Sequence, residues 1–101
     1  MQRHEFEWDD EKERKNISKH GIDFTTAAHV FADEFRIEKY DGKHSENEIR
    51  YKVIGAINGY LTIVVVSYTV RSNDEVIRLI SARAAQKHEK EEYYGYYQKN
   101  D

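Results

Sequence analysis

Asn58-Gly59-Tyr60-Leu61-Thr62-Ile63-Val64-Val65-Val66-Ser67-Tyr68-Thr69-Val70 is the stretch on which the fold turns. Asn-Gly is the strongest short hairpin signal, because both central positions of a type I′ turn need positive φ. The run after it is apolar on both faces for most of its length, which predicts a strand over 60–70 in the interior of a sheet. The turn joins it backwards to a strand over 50–57. A further short strand is expected over 35–40, before it. Forwards, Ser72-Asn73-Asp74 predicts a turn into a strand over 75–81, and Ser81 is placed to cap a last helix over 82–94, interrupted by Gly95.

Upstream, Asp9 or Asp10 can cap a helix that runs to His20 and stops at Gly21. Its interior is nearly all polar, with Ile17 and the preceding Trp8 as apolar anchors, so it should lie mostly solvated across other elements. Asp23 opens a shorter helix whose Phe24, Ala27, Ala28 and Phe31 make one apolar face. The expected order is α-α-β-β-β-β-α, an α+β fold with helices on an antiparallel sheet. At 101 residues and 39% hydrophobic, one domain over 1–101 with one modest core is expected.

Several classes are excluded by composition. With no cysteine, neither a disulfide framework nor a thiolate metal site can form. The longest apolar run is too short to span a bilayer, and the first five residues carry no apolar signal segment, so a cytoplasmic protein without membrane contact is expected. The net charge of −3 argues against indiscriminate nucleic-acid binding. Its distribution says more. From Ile49 to Arg83, Arg50, Lys52, Arg71, Arg78 and Arg83 face only Asp74 and Glu75, whereas Gly21 to Glu48 holds three basic residues against seven acids. The positive charge belongs to the predicted sheet and suits a grip on a short stretch of phosphate.

Arg71, Arg78 and Arg83 lie near the ends of predicted strands. Guanidiniums gathered there can orient a phosphate and stabilise the extra charge of its transition state. Equally, Arg71 can be a solvated turn residue and Arg78 the partner of Glu75 or another surface acid. Lys19-His20 can assist proton transfer, or simply complement a helix C-terminus. His44, with Glu48 and Arg50 nearby, is either an acid–base group or a charged hairpin rim. Tyr93, Tyr94, Tyr96 and Tyr97 can stack on bases, though aromatics on a terminal helix more often pack on a sheet; Tyr93 is kept as a site candidate. No metal-ligand spacing, glycine-rich phosphate loop or nucleophile elbow occurs, so no metal or cofactor is expected.

Phe6-Glu7-Trp8-Asp9, Lys12, Asn16, Lys19-His20-Gly21-Ile22 and Phe24 together resemble the N-terminal signature of the BrnT toxins. Ala27-Ala28, Val30-Phe31, Asp33, His44, Glu48, Arg50 and Gly55 continue the likeness, and Arg78-Leu79-Ile80-Ser81-Ala82-Arg83-Ala84 is its most specific block. The resemblance implies a RelE-like fold and a type II toxin–antitoxin toxin: a metal-independent ribonuclease that blocks translation. It implies a DNA-binding antitoxin, BrnA, with operator DNA bound only by the toxin–antitoxin complex. It ranks Arg71 and Arg83 first, then Arg78, with Lys19 and His20 assisting; Arg50, Lys87 and Tyr93 are the further residues expected along the RNA. The family often carries a second basic residue where this chain has Ala84, and Lys87 is the expected substitute, one helical turn on. The alternative is a non-catalytic module of the same fold that acts only through its partner.

Overall fold

A computed structural model describes residues 5–59 and 62–100. The elements run β1 (Glu5–Glu7), α1 (Asp10–His20), α2 (Phe24–Ala27) with a 3₁₀ turn (Ala28–Ala32), β2 (Ile37–Tyr40), a 3₁₀ turn (Gly42–His44), β3 (Tyr51–Ile57), β4 (Thr62–Arg71), β5 (Val76–Ala84) and α3 (Lys87–Asn100). The sheet order is β1-β5-β4-β3-β2, so β4 is the middle strand, as its two-sided apolar run requires. Asn58 and Gly59 both have positive φ, 54° and 64°, but Ile57 pairs with Thr62, so the connection is four residues long, 58–61, and not the expected two-residue turn. Tyr60 and Leu61, the expected start of that strand, lie outside the described residues.

Four expectations are corrected. Glu5–Glu7 forms a strand that pairs parallel with β5, so the five-stranded sheet is mixed, where four antiparallel strands were expected. Three residues carry too short a pattern to read. Ser81 caps no helix: β5 runs on to Ala84, because Ala82 is fully buried against the core. Nor does Gly95 interrupt α3, which spans Lys87–Asn100. Tyr93 and Tyr97, one turn apart across Gly95, both pack on the sheet, and Tyr97 lies 4.6 Å from the Phe35 ring. That packing outweighs the ~1 kcal/mol helix cost of a glycine. Ile17, expected as an anchor, is 44% exposed, and the buried residue of α1 is Asn16.

The Asn16 exception explains how α1 docks. β1 covers only Val76–Arg78 of β5, which leaves the outer edge of Ala82 without a strand. Asn16 replaces it: its Oδ1 accepts from the Ala82 N–H and its Nδ2 donates to the Ala82 and Ile22 carbonyls, all at 2.9 Å. The far edge has the same solution. β2 stops opposite Ile54, and buried Asp33 accepts from the Ala56 N–H at 2.8 Å, from the Phe35 N–H and from the Tyr93 hydroxyl. Gly55 makes this approach possible, since a Cβ there would sit 2.7 Å from Val30 Cγ2. Replacing Asn16 by Ala strands the Ala82 amide, and a loss of about 2–3 kcal/mol in urea unfolding is expected. A change below about 0.5 kcal/mol would remove this role.

The core has two layers. Phe24, Ala27 and Val30 cover one face over Val53, Ile57, Val64, Val66, Leu79 and Ala82. Ala85 and Tyr93 cover part of the other, over Ile54, Ala56, Ile63 and Val65. α3 covers only that part; the segment through Ile49 covers buried Thr69, whose hydroxyl donates to the Ile49 carbonyl, and the strip around Ser67 and Ser81 between them stays partly open. Ring contacts from Phe6 through Phe31, Tyr68 and Tyr51 to Tyr40 continue the first face towards the sheet's outer strands.

Candidate active site

One polar row crosses the open face. Lys39, Lys52, Ser67 and Ser81 face one another across the strands, and beside them run Ile37, Ile54, Val65 and Arg83. The pairing jumps from Ser67–Ser81 to Tyr68–Leu79, so Ile80 is an extra, bulged residue. Simple alternation would put Arg78 and Arg83 on opposite faces; the bulge returns both to the open one.

Around Ser67 and Ser81 lies a groove of about 270 Å³, lined by Asp41, His44, Arg50, Lys52 and Arg83. It shares Arg50, Ile80 and Ser81 with a second hollow of about 330 Å³ where Lys12, Lys15, Lys19 and His20 of α1 line the wall. Six lysines and arginines thus border one continuous depression. Among the described residues, Asp41 is the one acid lining either part. Such a surface attracts a polyanion.

Arg83 is the most rigidly held of them. Its Nη1 and Nη2 meet Glu89 Oε1 and Oε2 at 2.7 and 2.9 Å, a two-pronged pair. Glu89 is 5% exposed, and its Oε1 also accepts from the Gln86 N–H at 2.8 Å, which caps α3. Hydrogen bonds from Arg83 hold the Glu89 carboxyl down to about 2, and the same bonds raise Arg83 further. With a folded value near 2 and an ordinary value of 4.5, this stabilisation is complete above about pH 4.5 and disappears as pH falls towards 2. It should amount to about 2 kcal/mol, discounted for the partly solvated Arg83 side. Glu89→Gln should flatten the acid limb of a stability–pH curve between those values; an unchanged slope would refute the assignment.

The three arginines are not one cluster. Arg83 pairs with Val65, six residues along β4 from Arg71, which separates them by about 20 Å. One phosphate cannot contact both, contrary to the expectation of a shared grip. Arg71 and Arg78 converge instead on Glu7 of β1, at 2.8 and 2.6 Å. Tyr93 is also corrected: it is 1% exposed, with its hydroxyl on Asp33, so it presents no face to RNA. Lys87 is the first residue of α3 while Ala84 ends β5, so no helical turn relates them. Lys19 and His20 do occupy the last turn of α1, ahead of Gly21, and Arg50 lies where the two hollows meet.

Sequence reading missed the acids. Glu7, Glu89 and Asp41 each engage a basic group of this face, and Asp41 Oδ2 sits 2.9 Å from His44 Nδ1. Only the capping spacing from Gln86 to Glu89 hinted at one of them. Among the described residues no group of three or more His, Asp or Glu is arranged to hold a metal ion, and no helix is long and apolar enough to cross a membrane.

Residues 8–89 match the family model described as "Ribonuclease toxin, BrnT, of type II toxin-antitoxin system". A search of curated proteins finds no match.

Proposed function

Because this chain belongs to the BrnT family of ribonuclease toxins of type II toxin–antitoxin systems, we propose that it is an endoribonuclease that cuts RNA by attack of the adjacent ribose 2′-hydroxyl. The single observation behind this reading is the basic groove with Arg83 fixed in it by Glu89. A guanidinium already oriented before substrate arrives stabilises developing phosphorane charge without reorganising. Arg83 and Arg50 hold the phosphate, Lys52 and the α1 lysines follow the backbone, and Lys19 or His20 supplies a proton to the leaving oxygen. Arg71 and Arg78, tied to Glu7 and about 20 and about 14 Å from Arg83 along the sheet, bind a more distant phosphate.

The partner in this reading is a BrnA-like antitoxin that presents an acidic segment to the groove, and the complex binds operator DNA. The direct test is purified chain and RNA in chelator, with the product ends identified. Fragments ending in 2′,3′-cyclic phosphate and 5′-hydroxyl are expected; intact RNA or cleavage only with added metal would overturn it. One observation favours the rival, non-catalytic reading: the forked donors of Arg83 are already engaged by Glu89. That reading predicts intact RNA together with operator binding by the toxin–antitoxin complex.

A further inference from the structure

His44 was one of several histidines in the sequence, and its surroundings set it apart. It ends the 3₁₀ turn Gly42–His44, with Nδ1 2.9 Å from Asp41 Oδ2. That turn is clasped at its base. The Asp41 N–H donates to the Arg50 carbonyl at 2.8 Å, Ser45 Oγ donates to the Asp41 carbonyl at 2.6 Å, and the Arg50 N–H donates to Ser45 Oγ at 2.9 Å. Asp41 is 12% exposed in its side chain and His44 59%. A carboxylate held on one ring nitrogen fixes the tautomer and leaves the other nitrogen to accept a proton.

Its position relative to α1 carries the argument. His44 lines the hollow with Lys52 and Arg83, while Lys19 and His20 line the neighbouring one. Arg50, Ile80 and Ser81 belong to both. Two proton-transfer groups therefore flank a shared centre that holds a guanidinium. In-line attack at phosphorus requires this, since the attacking and leaving oxygens lie on opposite sides of the phosphate.

We propose that His44 is the general base of the cleavage, with Asp41 as its positioning residue; this rests on the ribonuclease reading above. His44 Nε2 takes the 2′-hydroxyl proton as the 2′-oxygen bonds to phosphorus. The bond from phosphorus to the 5′-oxygen breaks, and that oxygen takes a proton from Lys19 or His20. A cyclic phosphate and a 5′-hydroxyl result. The base works in its neutral form, so activity rises with pH through its titration. Charged groups facing it are Asp41, Lys43 and Glu46 of its own loop, Glu48 paired with Arg50, and Lys52 and Arg83 across the groove.

The experiment follows kcat/KM against pH for cleavage of a short RNA by the unaltered chain, His44→Gln, Asp41→Asn and His20→Gln. Binding of the same oligonucleotide with a 2′-deoxy substitution at the cut site is measured alongside. His44→Gln should slow cleavage about 10²–10³-fold and erase the acid limb, with analogue binding unchanged. Asp41→Asn should slow it less, through kcat with KM unchanged, because the ring loses the carboxylate that fixes its tautomer. An acid limb that survives His44→Gln, or that vanishes with His20→Gln alone, would overturn the assignment. No cleavage by the unaltered chain would remove the ribonuclease reading itself, and the inference with it.

Discussion

Asp33→Ala should lower the stability of this protein by about 3–5 kcal/mol, the largest effect expected of any single polar substitution. Asp33 is 4% exposed and ties three elements together: the Phe35 N–H ahead of β2, the Ala56 N–H of β3 and the Tyr93 hydroxyl of α3. Removing the carboxylate takes the Asp33 acceptor away from a buried strand amide and from the Tyr93 hydroxyl in the core. Each stranded donor costs about 1–3 kcal/mol. Urea unfolding measures the loss, and the melting temperature should fall by well over about 10 °C. Tyr93→Phe, which removes only one partner, should cost about 1 kcal/mol. If Asp33→Ala loses less than Tyr93→Phe, Asp33 does not join these elements.

The second large effect concerns activity. Arg83→Ala by itself is a poor test, because it abandons the buried Glu89 carboxylate and destabilises the fold. Arg83→Ala combined with Glu89→Gln avoids that fault. Relative to Glu89→Gln alone, the double variant should cleave RNA about 10²–10³-fold more slowly, the loss typical of one preorganised donor. Arg71→Ala should lose less than about threefold, since it removes an exposed ion pair on a remote part of the face. Equal rates for the double variant and Glu89→Gln would take the phosphate site away from Arg83.

Asn58-Gly59 and the run after it were legible because turn chemistry and two-sided hydrophobicity are local signals. The ends of α1 were legible for the same reason: Asp9 Oδ1 accepts from the Lys12 N–H at 3.0 Å, and Gly21 has φ of 71°. What stayed hidden depends on residues distant in the chain. Nothing in Glu5-Phe6-Glu7 announces a partner at Val76–Arg78, and nothing in Ile80 marks it as the bulge that puts Arg78 and Arg83 on one face. The arginines themselves were easy to select by type. Their grouping was not, because it depends on pairing register and on which acid each one meets.

Asn16 and Asp33 have a consequence beyond stability. Each closes the exposed edge of an inner strand where its short outer neighbour has stopped. An open strand edge is a template for any other extended chain, including a second molecule. One side chain at each place therefore acts as a gate against intermolecular sheet growth. Loss of either should first appear as concentration-dependent self-association in still-folded protein, a fault of solubility that a melting curve at low concentration would miss.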